Sequence, residues 1–289
     1  MLGSTVFFGL MAVVIRLASD TLHTFEIAFF RNFFGLMAAL PLLIKHGPGL
    51  LKTTQLPRYF IRCLIGVLSM FCGFWAIGHL PLAQAVSLSY STPIFVTIAA
   101  VIFLHEQVRA RRWAAVALGF IGVLIIVRPG TGDFSAGTLI ALTAAVLSGI
   151  VSIQIKQLSY TEPADRIVFY TTLLWVPLSL GPALFVWQWP QGIAWVWVIA
   201  AGFLGTGGHM LWTRALKLGD VSALTPISFM QLPLVAIAGW LLFDEGLSRW
   251  TALGAGIIFA ANAYIAHREA QLARRAATTA PIEAAKPGE

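Results

Sequence analysis

The chain has 289 residues, of which 58% are hydrophobic and 11% charged, with mean hydropathy +0.82 and a formal net charge of +7. A soluble domain carries roughly 25% charged residues, so this composition excludes an ordinary water-soluble enzyme and points to lipid as the solvent. The positive balance would suggest nucleic acid in a soluble chain, but its distribution has a better explanation and no nucleic-acid partner is expected.

Apolar runs separated by short breaks place ten spans, at 2–18, 25–44, 58–78, 82–104, 112–128, 134–156, 166–186, 193–214, 220–243 and 248–266. Most approach the length of about 20 residues that crosses hydrocarbon. The expected fold class is therefore an all-α polytopic membrane protein with ten transmembrane helices. Connections are too brief for an extramembrane catalytic domain, and no soluble body follows the first span as it would follow a signal peptide. Residues 268–289 are Ala-rich and polar and are expected to form a disordered cytoplasmic tail. Cys63 and Cys72 are nine residues apart in one predicted helix, too far for a disulfide, and read as small buried hydrophobes.

Placing the N-terminus in the cytoplasm puts fifteen basic residues on the inner side, including Lys52, Arg62, Arg109, Arg111, Arg112, Arg166 and Arg214. Only Arg16, Arg128 and Arg249 then lie outside, with Arg31 inside the second span. This bias satisfies the positive-inside rule with both termini cytoplasmic, and Trp187, Trp189, Trp195 and Trp197 then fall in an outer aromatic belt.

The stretch LPLAQAVSLSYSTPIFVTIAAVIFLHE (Leu80 to Glu106) returns as LGDVSALTPISFMQLPLVAIAGWLLFDE (Leu218 to Glu245). Pro93 and Pro233 sit at comparable depth in the two copies, and Glu106 and Glu245 close them as helix-end markers. An internal repeat of half the chain follows. The expected units are 1–130 and 131–267, and five spans in each make the second half enter the membrane from the opposite side. Inverted repeats of this kind suit alternating access.

Polar residues concentrate in spans three, four, eight and nine. Ser87 and Ser91 share one side of span four by four-residue spacing, and Tyr90 lies near the midplane with a phenol to satisfy. Span nine carries Ser228 and Gln231. Pro93, Pro226 and Pro233 each remove an intrahelical hydrogen bond, so the freed carbonyls must face protein or a wet cavity. Trp75 and Trp212 occupy matching places before spans four and nine, and His209 lies in the small-residue segment GTGGHM. These residues can line a site for a zwitterion or other polar metabolite. The alternative is packing, with Ser and Thr hydroxyls bonded back to their own helices. Arg16 is expected to snorkel. Arg31 can hold an anionic group or pair with Glu26 or Asp20. Gly119 with Gly122, Gly202 with Gly205, and Gly254 with Gly256 signal close helix contact, so spans five and ten pack at the edge of each half or form a homodimer; otherwise the chain is a monomer.

No GxxxxGK[ST] loop, HExxH motif, metal cluster or acid pair is present. An enzyme is not expected, and neither a cofactor nor a metal.

The stretch FWAIGHLPLAQAVSLSYSTPIFVTIAAVIFLHE with GFIGVLIIVRPG, repeated as LWTRALKLGDVSALTPISFMQLPLVAIAGWLLFDE, resembles the drug/metabolite transporter superfamily in its two-EamA-domain branch, almost end to end. The resemblance implies two inverted five-helix halves around a central cavity, with Tyr90, Ser91 and Pro93 on the cavity helix of the first half and His209, Trp212 and Gln231 near that of the second. It implies a secondary transporter of small molecules in a bacterial inner membrane, in contact with lipid. Within the family the chain is similar to exporters of amino acids, which makes export of amino acids or similar metabolites the first reading. Uptake or export of a purine, vitamin or drug is the alternative, and a non-transporting membrane protein the third. Midplane lysine or arginine pairs for phosphate are missing, which disfavours nucleotide-sugar and triose-phosphate substrates.

Overall fold

The computed structural model describes residues 2–104, 110–128, 135–218 and 231–284, and the chain is all-α through them. In order, the helices are α1 (Leu2–Ala18), α2 (Thr24–His46), α3 (Leu56–His79), α4 (Leu82–Ser89), α5 (Thr92–Leu104), α6 (Ala110–Val127), α7 (Ala136–Ser159), α8 (Ala164–Leu184), α9 (Ala194–Leu218), α10 (Gln231–Phe243) and α11 (Arg249–Ala284), with a 3-10 turn at Pro48–Leu51. The last helix runs through Ala284, into the segment expected to be a disordered tail.

The expectation of ten transmembrane helices does not hold. Among the described residues, five helical stretches are long and apolar enough to cross a membrane: Leu56–His79, Leu82–Ala99 (running from α4 into α5), Ala136–Ile155, Asp165–Leu184 and Ala194–Leu211. The apolar stretches Leu2–Ala18, Val116–Val127 and Gln231–Phe243 are shorter, between 10 and 17 residues. At 1.5 Å per residue, 13 residues reach only about 20 Å, well short of about 30 Å of hydrocarbon. Apolar runs overcount spans because an apolar run shows that a helix forms and not that it is long enough to cross hydrocarbon.

Local chemistry explains several boundaries. Glu26 Oε2 accepts from the His23 N–H at 3.0 Å while His23 Nδ1 accepts from the Phe25 N–H, a capping box that starts α2. Gly47, at φ 66°, ends it by returning its N–H to Leu43 O at 2.8 Å. A Pro near the first position of α3 needs no intrahelical donor.

The bundle packs α1 on α9, α3 on α7, and α2 on both α8 and α9, while α6 lies along α11. One core cluster joins Ile15, Ile27, Phe29, Phe30, Phe71, Phe74 and Val198. Trp187, Trp189 and Trp195 gather around Phe30 with ring centroids 5.4–6.4 Å away, so these tryptophans form an aromatic cluster on α2. Cys63 and Cys72 are free thiols. Glycines set the closest approaches. A Cβ on Gly202 would lie 2.9 Å from the Gly35 nitrogen, and one on Gly122 would lie 2.8 Å from Gly254 O. Thus α6 and α11, expected at edges or in a dimer, meet each other within one chain.

Arg16 is pinned within the protein instead of snorkelling. It donates to Ile77 O at 3.1 Å and to Gly78 O, and pairs with Glu245 Oε1 at 3.0 Å. Glu245 Oε2 accepts from the Leu82 N–H at 2.6 Å. One carboxylate therefore caps the start of α4 while one guanidinium caps the end of α3. Glu106 lies outside the described residues.

Candidate functional site

The expected continuous helix over 82–104 is broken at Tyr90 and Ser91, immediately before Pro93. Pro93 has no N–H to give Ser89 O. The Thr92 hydroxyl bonds that carbonyl instead, at 2.7 Å. Leu88 O accepts both the Ser91 N–H at 3.0 Å and the Ser91 hydroxyl at 2.6 Å. Tyr90 O accepts from Asn262 Nδ2 of α11 at 3.0 Å. Short hydroxyl side chains and one distant amide therefore satisfy the backbone of the break, as the membrane interior requires. Replacing Asn262 with Leu is expected to leave Tyr90 O without its bond, at about 1–3 kcal/mol, read as a lowered unfolding temperature in detergent; an unchanged temperature would mean the break does not need α11.

The break meets a central cavity of about 420 Å³ bounded by α1, α2, α3, α7, α8 and α9. Its wall includes Arg31, Ser69, Phe74, Ser148, Trp175 and His209, with Ser89 and Thr92 entering from the break. A second lobe of about 240 Å³ shares Met11, Gly73, Ile77, Ser89 and Ala144 with the first and adds Phe8, Ala85 and Gln231. The larger lobe falls within the size range of about 300–1,000 Å³ typical of small-molecule sites. Polarity is arranged in one patch. Ser69 Oγ donates to Ala144 O at 2.8 Å and meets Ser148 Oγ at 2.8 Å, while Ser152 Oγ donates to Ser148 O at 2.8 Å.

Of the residues singled out from sequence, His209 and Gln231 line this cavity, and Tyr90 joins them by donating its hydroxyl to Gln231 Oε1 at 3.2 Å. His209 meets the Phe8 ring edge-on at 5.1 Å. Ser91 and Pro93 form the break, and the fully buried Ser91 hydroxyl is engaged by its own helix. Ser87 Oγ donates to Ala83 O at 2.6 Å. Ser87 and Pro233 border a different, almost wholly apolar cavity between α4, α10 and α11. Trp75 stacks on His79 at 4.0 Å and abuts Gly137, away from the central cavity wall. Pro226 and Ser228 lie outside the described residues, as does the Trp212 side chain.

Trp175, Ser69, Ser148 and Ser152 are the lining residues that sequence reasoning passed over. The i, i+4 spacing of Ser148 and Ser152 on one face of α7 is the signal that could have found two of them. The described residues hold no group of three His, Cys, Asp or Glu able to bind a metal ion.

The model of the EamA-like transporter family matches residues 1–128 and again 135–266. The chain is 32% identical to an S-adenosylmethionine uptake transporter of Rickettsia felis over 89% of this chain and 87% of that protein. It is 33% identical to a riboflavin transporter of Vibrio cholerae over 78% and 76%, and 30% identical to a pseudopaline exporter of Pseudomonas aeruginosa over 88% and 90%. A protein crystal structure shares the fold with TM-score 0.61 at 18% identity, covering 92% of this chain and 98% of that one. These relatives do not single out amino-acid exporters, so the narrower part of the resemblance is not supported. With membrane-crossing helices around a central cavity that carries one polar patch and two matches to one family model, the chain belongs to the EamA-like transporter family and is a multi-pass secondary transporter of the bacterial inner membrane, not an enzyme.

Proposed function

We propose that the transported molecule is a metabolite joining a flat heteroaromatic ring to polar groups, of the S-adenosylmethionine or riboflavin kind, and that the direction is uptake. The observation that carries this is the composition of the central cavity. Rings from Phe74, Trp175 and His209 stand beside the hydroxyls of Ser69, Ser148 and Ser152, with Phe8 and Gln231 in the adjoining lobe. Flat rings favour stacking on aromatic walls, while the hydroxyls orient polar substituents. Relatives named for uptake of S-adenosylmethionine, at 32% and 30% identity, support the same class and direction. Tyr90 and Gln231 hold the broken helix against α10 at the cavity, so the break is where access to the substrate would change. Export is the second reading, favoured by the 30% identity to a pseudopaline exporter.

Purified full-length protein in proteoliposomes is expected to support counterflow of labelled S-adenosylmethionine or riboflavin. Tyr90→Phe, which removes one neutral hydrogen bond worth about 1 kcal/mol, is expected to change transport about fivefold without loss of folded protein. Counterflow of neither compound, with counterflow of a simple amino acid instead, would return the assignment to amino-acid transport.

A further inference from the structure

α2 carries Arg31 into the wall of the central cavity, where it is 3% exposed. A guanidinium inside a membrane protein is costly unless it is paired or faces a polar cavity. The nearest acids in sequence do not pair with it. Both oxygens of Glu26 are occupied, Oε2 by the His23 N–H and Oε1 by the Gln188 N–H. Asp20 is exposed, beyond the end of α1. Glu245 pairs with Arg16 and Glu162 with Arg166, so neither of these acids is available to Arg31.

The guanidinium is nonetheless held in place. Nη1 donates to Asn32 Oδ1 at 3.0 Å, and Asn32 Nδ2 donates in turn to Ser179 Oγ at 3.2 Å. The guanidinium carbon lies 5.6 Å from the Trp175 ring centroid. Gly205 makes the room, because a Cβ there would fall 2.6 Å from Nη2 and 2.9 Å from Nε. Gly66 does the same for Trp175, whose Nε1 would lie 3.2 Å from an added Cβ. Two donors at this corner have no acceptor, Arg31 Nε and Trp175 Nε1. A buried donor without an acceptor bears its desolvation cost unrelieved, and here a fixed cation and an indole N–H adjoin the same cavity.

We propose that Arg31, with Trp175 beside it, is a carboxylate subsite of the central cavity, so that the transported metabolite bears a carboxylate. The subsite rests on the reading of this cavity as the transport site, and it narrows that reading. S-adenosylmethionine has a carboxylate for Arg31, whereas riboflavin has none. Asn32 and Ser179 act as positioning residues, fixing the guanidinium so that its remaining donors stay free for the anion.

The test uses full-length protein with two probes that differ only in the carboxylate, S-adenosylmethionine and its decarboxylated form, with riboflavin as a third. Counterflow in proteoliposomes and ligand-induced thermal stabilisation in detergent are read in parallel. Wild-type protein is expected to favour the carboxylate-bearing probe at least tenfold, and Arg31→Gln to weaken that probe to the level of the decarboxylated form while leaving the latter unchanged. Arg31→Lys is expected to recover part of the preference. Equal handling of the two probes by the wild type, or an undiminished preference in Arg31→Gln, would overturn the subsite. Handling of riboflavin but of neither adenosyl compound would also overturn it while leaving the wider transport reading standing. Carboxylate-dependent stabilisation without counterflow would keep the subsite and sink the transport reading, and absence of both would overturn both. Should Arg31→Gln fail to fold, the wild-type comparison alone decides.

Discussion

Gly254→Val is expected to separate α6 from α11 and to lower the unfolding temperature by about 6–12 °C, taking about 3 kcal/mol at about 2–4 °C per kcal/mol. A Cβ on Gly254 would sit 2.5 Å from Gly122 O and 2.5 Å from Ile126 Cγ1, and one on Gly122 would sit 2.8 Å from Gly254 O. The obstacle on each side includes a backbone carbonyl, which cannot rotate away as a side-chain end can. The helices must therefore move apart along their contact, and dispersion between them falls off steeply with distance. In lipid little else draws two helices together, because the surrounding chains are as apolar as the helix faces. The separation would also carry Asn262 away from Tyr90 O, coupling this packing fault to the helix break. Gly256, two residues away, has no atom within 4 Å of where its Cβ would go, so Gly256→Ala is the matched control and is expected to be silent. Equal unfolding temperatures for Gly254→Val and Gly256→Ala would show that the glycine contact contributes nothing.

The second large effect is expected at Glu245. Glu245→Ala removes the partner of Arg16 and the acceptor of the Leu82 N–H in one step. The Arg16 and Glu245 side chains are 20% and 16% exposed, between the surface case of about 0–1 kcal/mol and the buried case of about 3–5 kcal/mol. A loss of about 1–4 kcal/mol follows, and it should concentrate where α1, α3, α4 and α10 converge. Val13, Leu82, Val86 and Val235 pack together at this end, with Phe243 against them and also under the Arg16 guanidinium at 5.6 Å. The variant is accordingly expected to raise the thiol reactivity of a Cys placed at Val86, which is buried in the wild type. A double-mutant cycle with Arg16→Ala checks the pairing directly: the double variant should be less damaged than the sum of the singles. Additive losses would show that the two side chains act independently.

Much of the helix architecture was legible because its signals are local. Apolar runs located the helices, and Pro93 marked the place where the helix breaks, since a missing N–H is visible in one residue. The glycine pairs announced close approach, although their partners were not deducible. Counting spans from the same runs overshot, because stretches such as Val116–Val127 and Gln231–Phe243 are apolar and helical yet too short to cross hydrocarbon. Site residues divided along the same line. Tyr90, His209 and Gln231 meet at one cavity, whereas Ser87 faces another and Trp75 turns onto His79. A helix face a quarter-turn away looks identical in sequence.

Composition alone determined the solvent and the helical class of the chain, because these depend only on how many apolar residues there are and how they recur. Tertiary structure alone decided which charges are paired. Glu26 lies five residues from Arg31 yet accepts from the N–H of Gln188, 162 positions away, and Arg16 finds Glu245 at a separation of 229. Hydrogen-bond geometry, not proximity along the chain, assigns partners to buried polar groups. That assignment leaves Arg31 facing the cavity without a carboxylate among the described residues.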